Sequence, residues 1–252
     1  SLGLVGSEMC IRDRFLDPSR GGGEFIFHQL ACELARRGHR VSVIRYRVKG
    51  SRVKRRVEGL TIYEVNPTLE LKGGMPATLK QQLQYLINAV KLGLKIARES
   101  GVDVIHANAY IPIYAGWILS LLTRKPLIAT IHDPALNLKF WRKWFSQFNG
   151  SMIKALISSM AALLTIKLPG IIIHTVSEAT KKRLIDAGAK NVHVVPNGLD
   201  LNLYRLDDEL SYGDEVVFIG RCVYYKNLTT AIKALKYLDK RLKLVVVGDG
   251  PA

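Results

Sequence analysis

The feature that most constrains this chain is a regular alternation of short apolar runs with longer runs of helical period. Residues 24–37 place Phe25, His28, Leu30 and Leu34 at helical spacing, and Gly38 follows where a left-handed cap would close the helix. A strand is predicted over 41–46 and a second over 60–65. A long amphipathic helix over 77–98 carries Leu79, Leu83, Leu86, Val90 and Leu94 on one stripe. The alternation continues with a strand at 102–106, a helix near 114–122, a strand at 127–131, helical material over 138–166, a strand at 171–175, a helix at 178–186 and a strand at 192–195. Apolar strands separated by helices must be covered on both faces, which predicts an α/β fold with a doubly wound parallel sheet. A second unit opens with a strand at 215–219, a helix at 228–238 and a strand at 242–247. The polar stretch 196–213, with Pro196, Gly198 and Asp200, reads as the hinge between the two. The expected division is therefore a first domain over 15–206, hinge included, and the start of a second over 207–252.

Composition narrows the class. Of 252 residues, 48% are hydrophobic and 23% charged, which excludes a disordered chain. Cys10, Cys32 and Cys222 have neither the count nor the spacing of a disulfide framework or a zinc site, so a reducing, cytoplasmic setting is expected. The most apolar region, 155–173, is interrupted by Lys167, Pro169 and Gly170, where a membrane helix needs about 20 apolar residues, and a soluble or peripheral protein is expected. The stretch 1–14 fits neither strand nor helix and contains EMCIRD, one reading frame of a transposase sequencing adapter. It reads as a scar with irregular backbone, and the chain as cut at both ends. The formal charge is +16, and the whole surplus lies within 1–206. A surplus so placed calls for an anionic partner: nucleic acid, lipid headgroups or a phosphorylated substrate.

Few residues can carry chemistry. Gly21, Gly22 and Gly23 precede a helix and would let backbone N–H groups point at an anion, although a plain flexible turn explains them equally well. His132 ends a strand and is followed by Asp133 and Pro134, and His106 ends another strand in the same way, where open α/β sheets place their ligands. His28, His39, His174 and His193 have no such placement and are assigned to surface or core. No His pair has metal-binding spacing. Arg221 and Lys226 follow the strand that ends at Ile219 and Gly220; a guanidinium fork with an ammonium beside a helix start suits a diphosphate, and a solvated pair is the plainer reading.

Taken in order, the Gly-Gly-Gly-Glu before the first helix, ATIHD at 129–133, TVSE at 175–178, VPNGLD at 195–200, FIGR with Lys226 at 218–226 and VVGDGP at 246–251 resemble the retaining GT4 glycosyltransferases of GT-B fold. The resemblance runs from about Phe15 to Ala252. It implies two Rossmann-like domains facing a cleft, an NDP-sugar donor as co-substrate with no cofactor or metal, and a glycan or lipid-linked acceptor. Arg221 and Lys226 match the family's diphosphate pair, with Gly22 and Gly23 in the loop near the diphosphate. His132 matches the His beside the reacting sugar, and His106 with Asn108 falls on the acceptor side. Two departures stand out. Asn227 occupies a position that is usually Gly, and the family's paired glutamates would lie beyond Ala252, so the chain alone is expected to be inactive.

The basic surplus bears on the acceptor. Arg45, Arg47, Lys49, Arg52, Lys54, Arg55 and Arg56 form one run, and LKFWRKWFSQF at 138–148 interleaves Trp141, Trp144 and three phenylalanines with cations. Aromatics beside cations suit an anionic membrane surface, on the inner face of the plasma membrane; a solvated hairpin and a buried helix are the plainer readings. Two other functions stay open. A GT-B sugar-nucleotide epimerase would share the diphosphate cations, and a basic nucleic-acid-binding module would explain the charge but not the order of motifs, so no nucleic acid is expected.

Overall fold

The computed structural model describes residues 7–12, 22–48, 54–57, 59–69, 78–108, 110–146, 151–199, 201, 213–239 and 241–250. The chain divides into two compact units, Ser1–Leu136 with Ser159–Gly198 and Asn137–Ser158 with Leu199–Ala252.

In the first unit the strands are β1 (Ser7–Arg12), β2 (Arg40–Val48), β3 (Lys54–Val57), β4 (Leu60–Leu69), β5 (Val104–Asn108), β6 (Leu127–Thr130), β7 (Ile171–Thr175) and β8 (Val192–Val194). They form one eight-stranded sheet in the order β3-β4-β2-β1-β5-β6-β7-β8. Every pairing is parallel except β3 with β4, a hairpin at the edge. Between the strands run α1 (Gly22–Arg36), α2 (Leu79–Ser100), α3 (Tyr110–Thr123) and α6 (Glu178–Asp186). Successive side chains of β2 and β4 point to opposite faces. Val41, Val43, Leu60 and Ile62 pack with Phe27, Ala31 and Cys32 of α1, whereas Ile44, Tyr46 and Val65 pack with Tyr85, Ala89 and Ile96 of α2.

Local chemistry sets the helix ends. Gly38 has φ +90°, and its N–H and that of His39 satisfy the carbonyls of Ala35 and Leu34 at 3.0 and 3.1 Å. Thr78 and Gln81 form a capping box at the start of α2. Ser177 caps α6, its hydroxyl accepting from the Thr180 N–H at 3.2 Å. On α2 the buried stripe is Tyr85, Ala89, Gly93 and Ile96, while Leu79 and Leu83 are exposed. The leucine-based stripe is thus rotated: Ala89 and Gly93 let the helix approach its neighbours, while Tyr85 and Ile96 fill the core on either side of them. Gly116 of α3 shows the same demand: a Cβ there would lie 2.9 Å from the Leu127 side chain.

Two expectations are corrected. Irregular backbone over 1–14 does not hold for Ser7–Arg12, which is the central β1, with Glu8 in register with Val41 on one side and Val104 on the other. Pairing within a sheet asks for extended backbone rather than particular side chains. The rest of 1–14 lies outside the described residues. Arg45 is not part of a solvated run. Its side chain and that of Glu64, opposite it in register, are 3% and 0% exposed and form an ion pair, with Nε donating to Oε1 at 3.0 Å.

The second unit holds α4 (Leu138–Ser146), the start of α5 (Met152–Thr165), and the parallel pair β9 (Glu215–Ile219) and β10 (Lys243–Val247), with α7 (Leu228–Ala234) between them. Strand, helix and strand follow in the expected order. Among its residues Val217, Ile219 and Val247 are exposed.

Removing one member of the Arg45–Glu64 pair leaves the other buried and uncompensated, a penalty of about 3–5 kcal/mol. Glu64→Leu is expected to lower the urea midpoint accordingly, and the double replacement Arg45→Met with Glu64→Leu to recover most of the loss. Equal midpoints for the single and double variants would show that the pair does not set this stability.

Candidate functional site

Because β1, β5, β6 and β7 are parallel and in register, Arg12, Asn108 and Thr130, the last residues of the first three, and His174, the residue beside Thr130 on β7, line one edge of the sheet. Open α/β sheets bind ligands at this carboxyl edge. Helix α1 follows β1, so Gly22 and Gly23, its first two residues, start from the same edge.

Three of these strands are wired together near that edge, although His106 does not end its strand as expected: β5 runs on to Asn108. His106 Nε2 lies 2.7 Å from Thr130 Oγ1, which lies 2.9 Å from His174 Nδ1, and His174 Nε2 lies 3.0 Å from the Val195 carbonyl. That carbonyl can only accept, so His174 carries its proton on Nε2. With His174 neutral, Nδ1 accepts from the Thr130 hydroxyl, whose oxygen in turn accepts from the His106 Nε2–H. The donors therefore run in one direction, His106 to Thr130 to His174 to Val195. Burial lowers the pKa of His174 from its ordinary 6.5, against the Val195 carbonyl that raises it, and His106 lowers it further. Phe27 meets the His106 ring edge-on at 4.9 Å.

His132 lies two residues beyond Thr130 on the loop 131–135. Thr175 Oγ1 donates to the Ile131 carbonyl at 2.8 Å. The Tyr110 hydroxyl accepts from the Ala135 N–H at 2.9 Å and donates to the Asp133 carbonyl at 3.4 Å. Arg183 donates to the Pro134 carbonyl at 3.2 Å and lies 3.7 Å from the Asp133 carboxylate. Burial pushes the Tyr110 phenol far above its ordinary pKa of 10.0, so it stays a donor.

In the second unit, β9 and β10 remain paired past their ends. The Gly220 N–H donates to the Val247 carbonyl at 3.0 Å, and the Cys222 N–H to the Asp249 carbonyl at 2.9 Å. The chains approach so closely that a Cβ on Gly248 or Gly250 would fall 1.9 or 2.2 Å from a carbonyl oxygen of the facing strand. From this anchor Arg221 emerges exposed, Cys222 and Val223 are buried, and a 3-10 turn spans Tyr224–Lys226. Arg221 Nη2 donates to the Tyr225 hydroxyl at 2.8 Å, and Lys226 Nζ lies 6.0 Å from the centre of the same ring. Tyr225 therefore gathers the two cations on one side chain. Asn227 then turns left-handed at φ 57° and α7 begins. Asn is, after Gly, the residue that best tolerates this conformation, which accounts for the departure at this position. The rings of α4 pack in the same unit. Phe140 and Trp144 lie 6.2 and 6.0 Å from Tyr225, Tyr224 donates to the Phe140 carbonyl at 3.1 Å, and Phe145 is buried.

Of the residues singled out in the sequence, His106, Asn108 and His132 meet at one edge, and Arg221 meets Lys226 through Tyr225. Trp141 and Trp144 are half-buried among aromatic rings. Lys54, Arg55 and Arg56 lie on the edge strand β3, and Arg52 falls outside the described residues. His174 is no bystander: it is a member of the hydrogen-bonded row. Tyr110, Thr130, Thr175, Arg183 and Tyr225 were not visible as site residues, although TVSE and the strand ends lie next to three of them.

An α/β chain of this kind, with its polar groups at the carboxyl edges of parallel strands, has the fold of the GT-B glycosyltransferases. HepE of Anabaena, solved in complex with UDP and glucose, is similar with a TM-score of 0.63 at 20% identity, over 96% of this chain and 61% of that one. Sucrose-phosphate synthase of Thermosynechococcus elongatus is similar with a TM-score of 0.63 at 13% identity, over 96% and 70%. The sequence model of Glycosyltransferase Family 4 matches residues 20–203, and the chain belongs to that family. A curated relative, the 2-deoxystreptamine N-acetyl-D-glucosaminyltransferase of Niallia circulans, is 27% identical over 247 residues, 92% of this chain and 63% of the relative. The chain thus spans less than two thirds of the length of HepE and of this relative.

The lowered pKa of His174 has a sign that can be checked. Below pH 6.5 the unfolded chain takes up a proton that the folded His174 resists, so stability present above 6.5 falls as pH drops through the lowered value. The urea midpoint is expected to fall between pH 7.5 and 5, and His174→Gln to flatten part of that slope. An unchanged slope in the variant would remove His174 as its source.

Proposed function

We propose that the chain acts in a retaining glycosyltransferase that moves a sugar from a nucleoside diphosphate sugar to a hydroxyl acceptor. Membership of Glycosyltransferase Family 4 supports the reaction class, and the UDP bound by HepE supports a nucleotide-sugar donor. The observation that carries the reading is the pairing of Arg221 with Lys226 on Tyr225 at the end of β9. Charge develops on the leaving diphosphate as the glycosidic bond breaks. A guanidinium fork and an ammonium held in advance stabilise that charge more in the transition state than in the ground state. In the first unit, Gly22 and Gly23 begin α1, whose N-terminal dipole favours an anion. His132 orients the sugar, and its loop is fixed on three sides by hydrogen bonds. The two cations supply the electrostatic role that a metal ion fills in other transferases.

For the acceptor we propose a lipid-linked or membrane-surface hydroxyl. Lys139, Arg142 and Lys143 of α4 are exposed, and Ile153, Leu156, Ile157, Met160 and Leu164 of α5 form an exposed stripe at helical spacing. No described helix is long and apolar enough to cross a membrane.

In the enzyme as expressed from its natural gene, Arg221→Ala, Lys226→Ala and His132→Ala are each expected to lower turnover by roughly two to three orders of magnitude with the fold retained. Turnover is to be followed as nucleotide released from UDP-glucose and related donors. Wild-type turnover in the cation variants would remove the diphosphate assignment, and strong inhibition by EDTA would point to a metal-dependent transferase. Sedimentation with anionic vesicles is expected to carry the enzyme down at low salt. Replacing Ile153 and Ile157 with Ser is expected to weaken binding at every salt concentration, because apolar insertion is not screened. No sedimentation at low salt would leave a soluble acceptor as the better reading.

A further inference from the structure

We propose that Tyr110, Thr175 and Arg183 are positioning residues for His132, which they act on through the backbone that carries it. This rests on the reading of His132 as the group that orients the sugar.

The loop 131–135 belongs to neither strand nor helix, so no regular ladder fixes it. Its backbone is held by side chains from three other elements. From β7, Thr175 Oγ1 donates to the carbonyl just before His132, that of Ile131, and the His174 carbonyl accepts the Ile131 N–H at 2.9 Å. From the first residue of α3, one hydroxyl bridges two groups just after His132: it accepts the Ala135 N–H at 2.9 Å and donates to the Asp133 carbonyl. From α6, the Arg183 guanidinium donates to the Pro134 carbonyl at 3.2 Å. The peptide unit before His132 and the two that follow Asp133 are therefore tied to rigid elements.

The burial of each group shows which role it plays. Thr175 is fully buried, and burial raises a Tyr110 phenol whose ordinary pKa of 10.0 already keeps it protonated, so both hydroxyls remain donors across the physiological pH range. Arg183 is more than half exposed, and its ion pair with Asp133 at 3.7 Å is screened by solvent and adds little stability. What Arg183 adds is geometry. Orientation of a reacting group is sensitive to shifts well under 1 Å, and supporting hydrogen bonds are what limit such shifts. Tyr110 is the more telling member because its single oxygen serves as donor and acceptor at once, a task that Phe at the same volume cannot perform.

The test uses this chain labelled with 13C at histidine Cε1, which gives six cross-peaks, one for each histidine. His132 is assigned with His132→Gln, and His193, exposed on β8, serves as the internal reference. Tyr110→Phe removes the bridge without altering charge, and Arg183→Lys keeps the charge while losing the fork. Each is expected to displace or split the His132 cross-peak by more than its linewidth and to leave His193 in place. A His132 peak at its wild-type position in both variants overturns the proposal, as does an equal displacement of His193, which would mark general loosening. Should Tyr110→Phe not fold, Arg183→Lys, a conservative change at an exposed position, decides the matter alone. Full activity of His132→Ala would overturn the catalytic reading and leave this spectroscopic result standing, so the two failures are told apart.

Discussion

Parallel pairing of β2, β1, β5, β6, β7 and β8 is the constraint on which the rest of the first unit depends. A parallel pair cannot be joined by a tight turn; the chain must travel back across one face before the next strand begins. Every departure from a strand therefore leaves from the same edge. His106, Thr130, His132 and His174, spread over about 70 residues, arrive there without any local attraction between them. The second unit repeats the logic on a smaller scale, with β9 and β10 side by side and Arg221 leaving β9 at the matching edge.

The alternation of apolar runs made the fold legible, because period 2 and period 3.6 are written into adjacent residues. The helix Glu178–Asp186 follows directly from its Ser177 cap and the acidic residue in its first turn. Strand ends also marked His132, since a polar pair breaking an apolar run has few structural explanations. What adjacent residues do not encode is register. His174 looked like an ordinary histidine in an apolar strand. Its role comes from lying beside Thr130, 44 positions away, once β6 and β7 are aligned. Tyr110 and Arg183 were hidden for the same reason, each reaching the His132 loop from another helix. Arg45 was misplaced because a run of cations reads as solvated unless the matching Glu64 on a neighbouring strand is taken into account.

Charge in this molecule thus plays several unrelated parts. One guanidinium is consumed inside the sheet against Glu64, another donates to the Pro134 carbonyl, a third shares a tyrosine with Lys226, and a fourth, with two lysines of α4, faces solvent. A net charge counts all of these alike. The partner that the surplus suggests can be inferred only after the internal cations have been subtracted.

The close approach of Gly248 and Gly250 to the strand that faces them has a consequence for how tolerance to substitution should be interpreted. In a survey of all single replacements, these two positions would reject every side chain, alanine included, as firmly as a reacting group does. Yet neither has an atom with which to react. Their intolerance would report the width of the gap between two backbones, and the residue that benefits is Arg221, whose starting point is fixed by that gap. Sensitivity to mutation at this end of the molecule is therefore a map of steric clearance between two backbones, and it says nothing of the side chain of Arg221, which leaves the facing segment between Gly220 and Cys222.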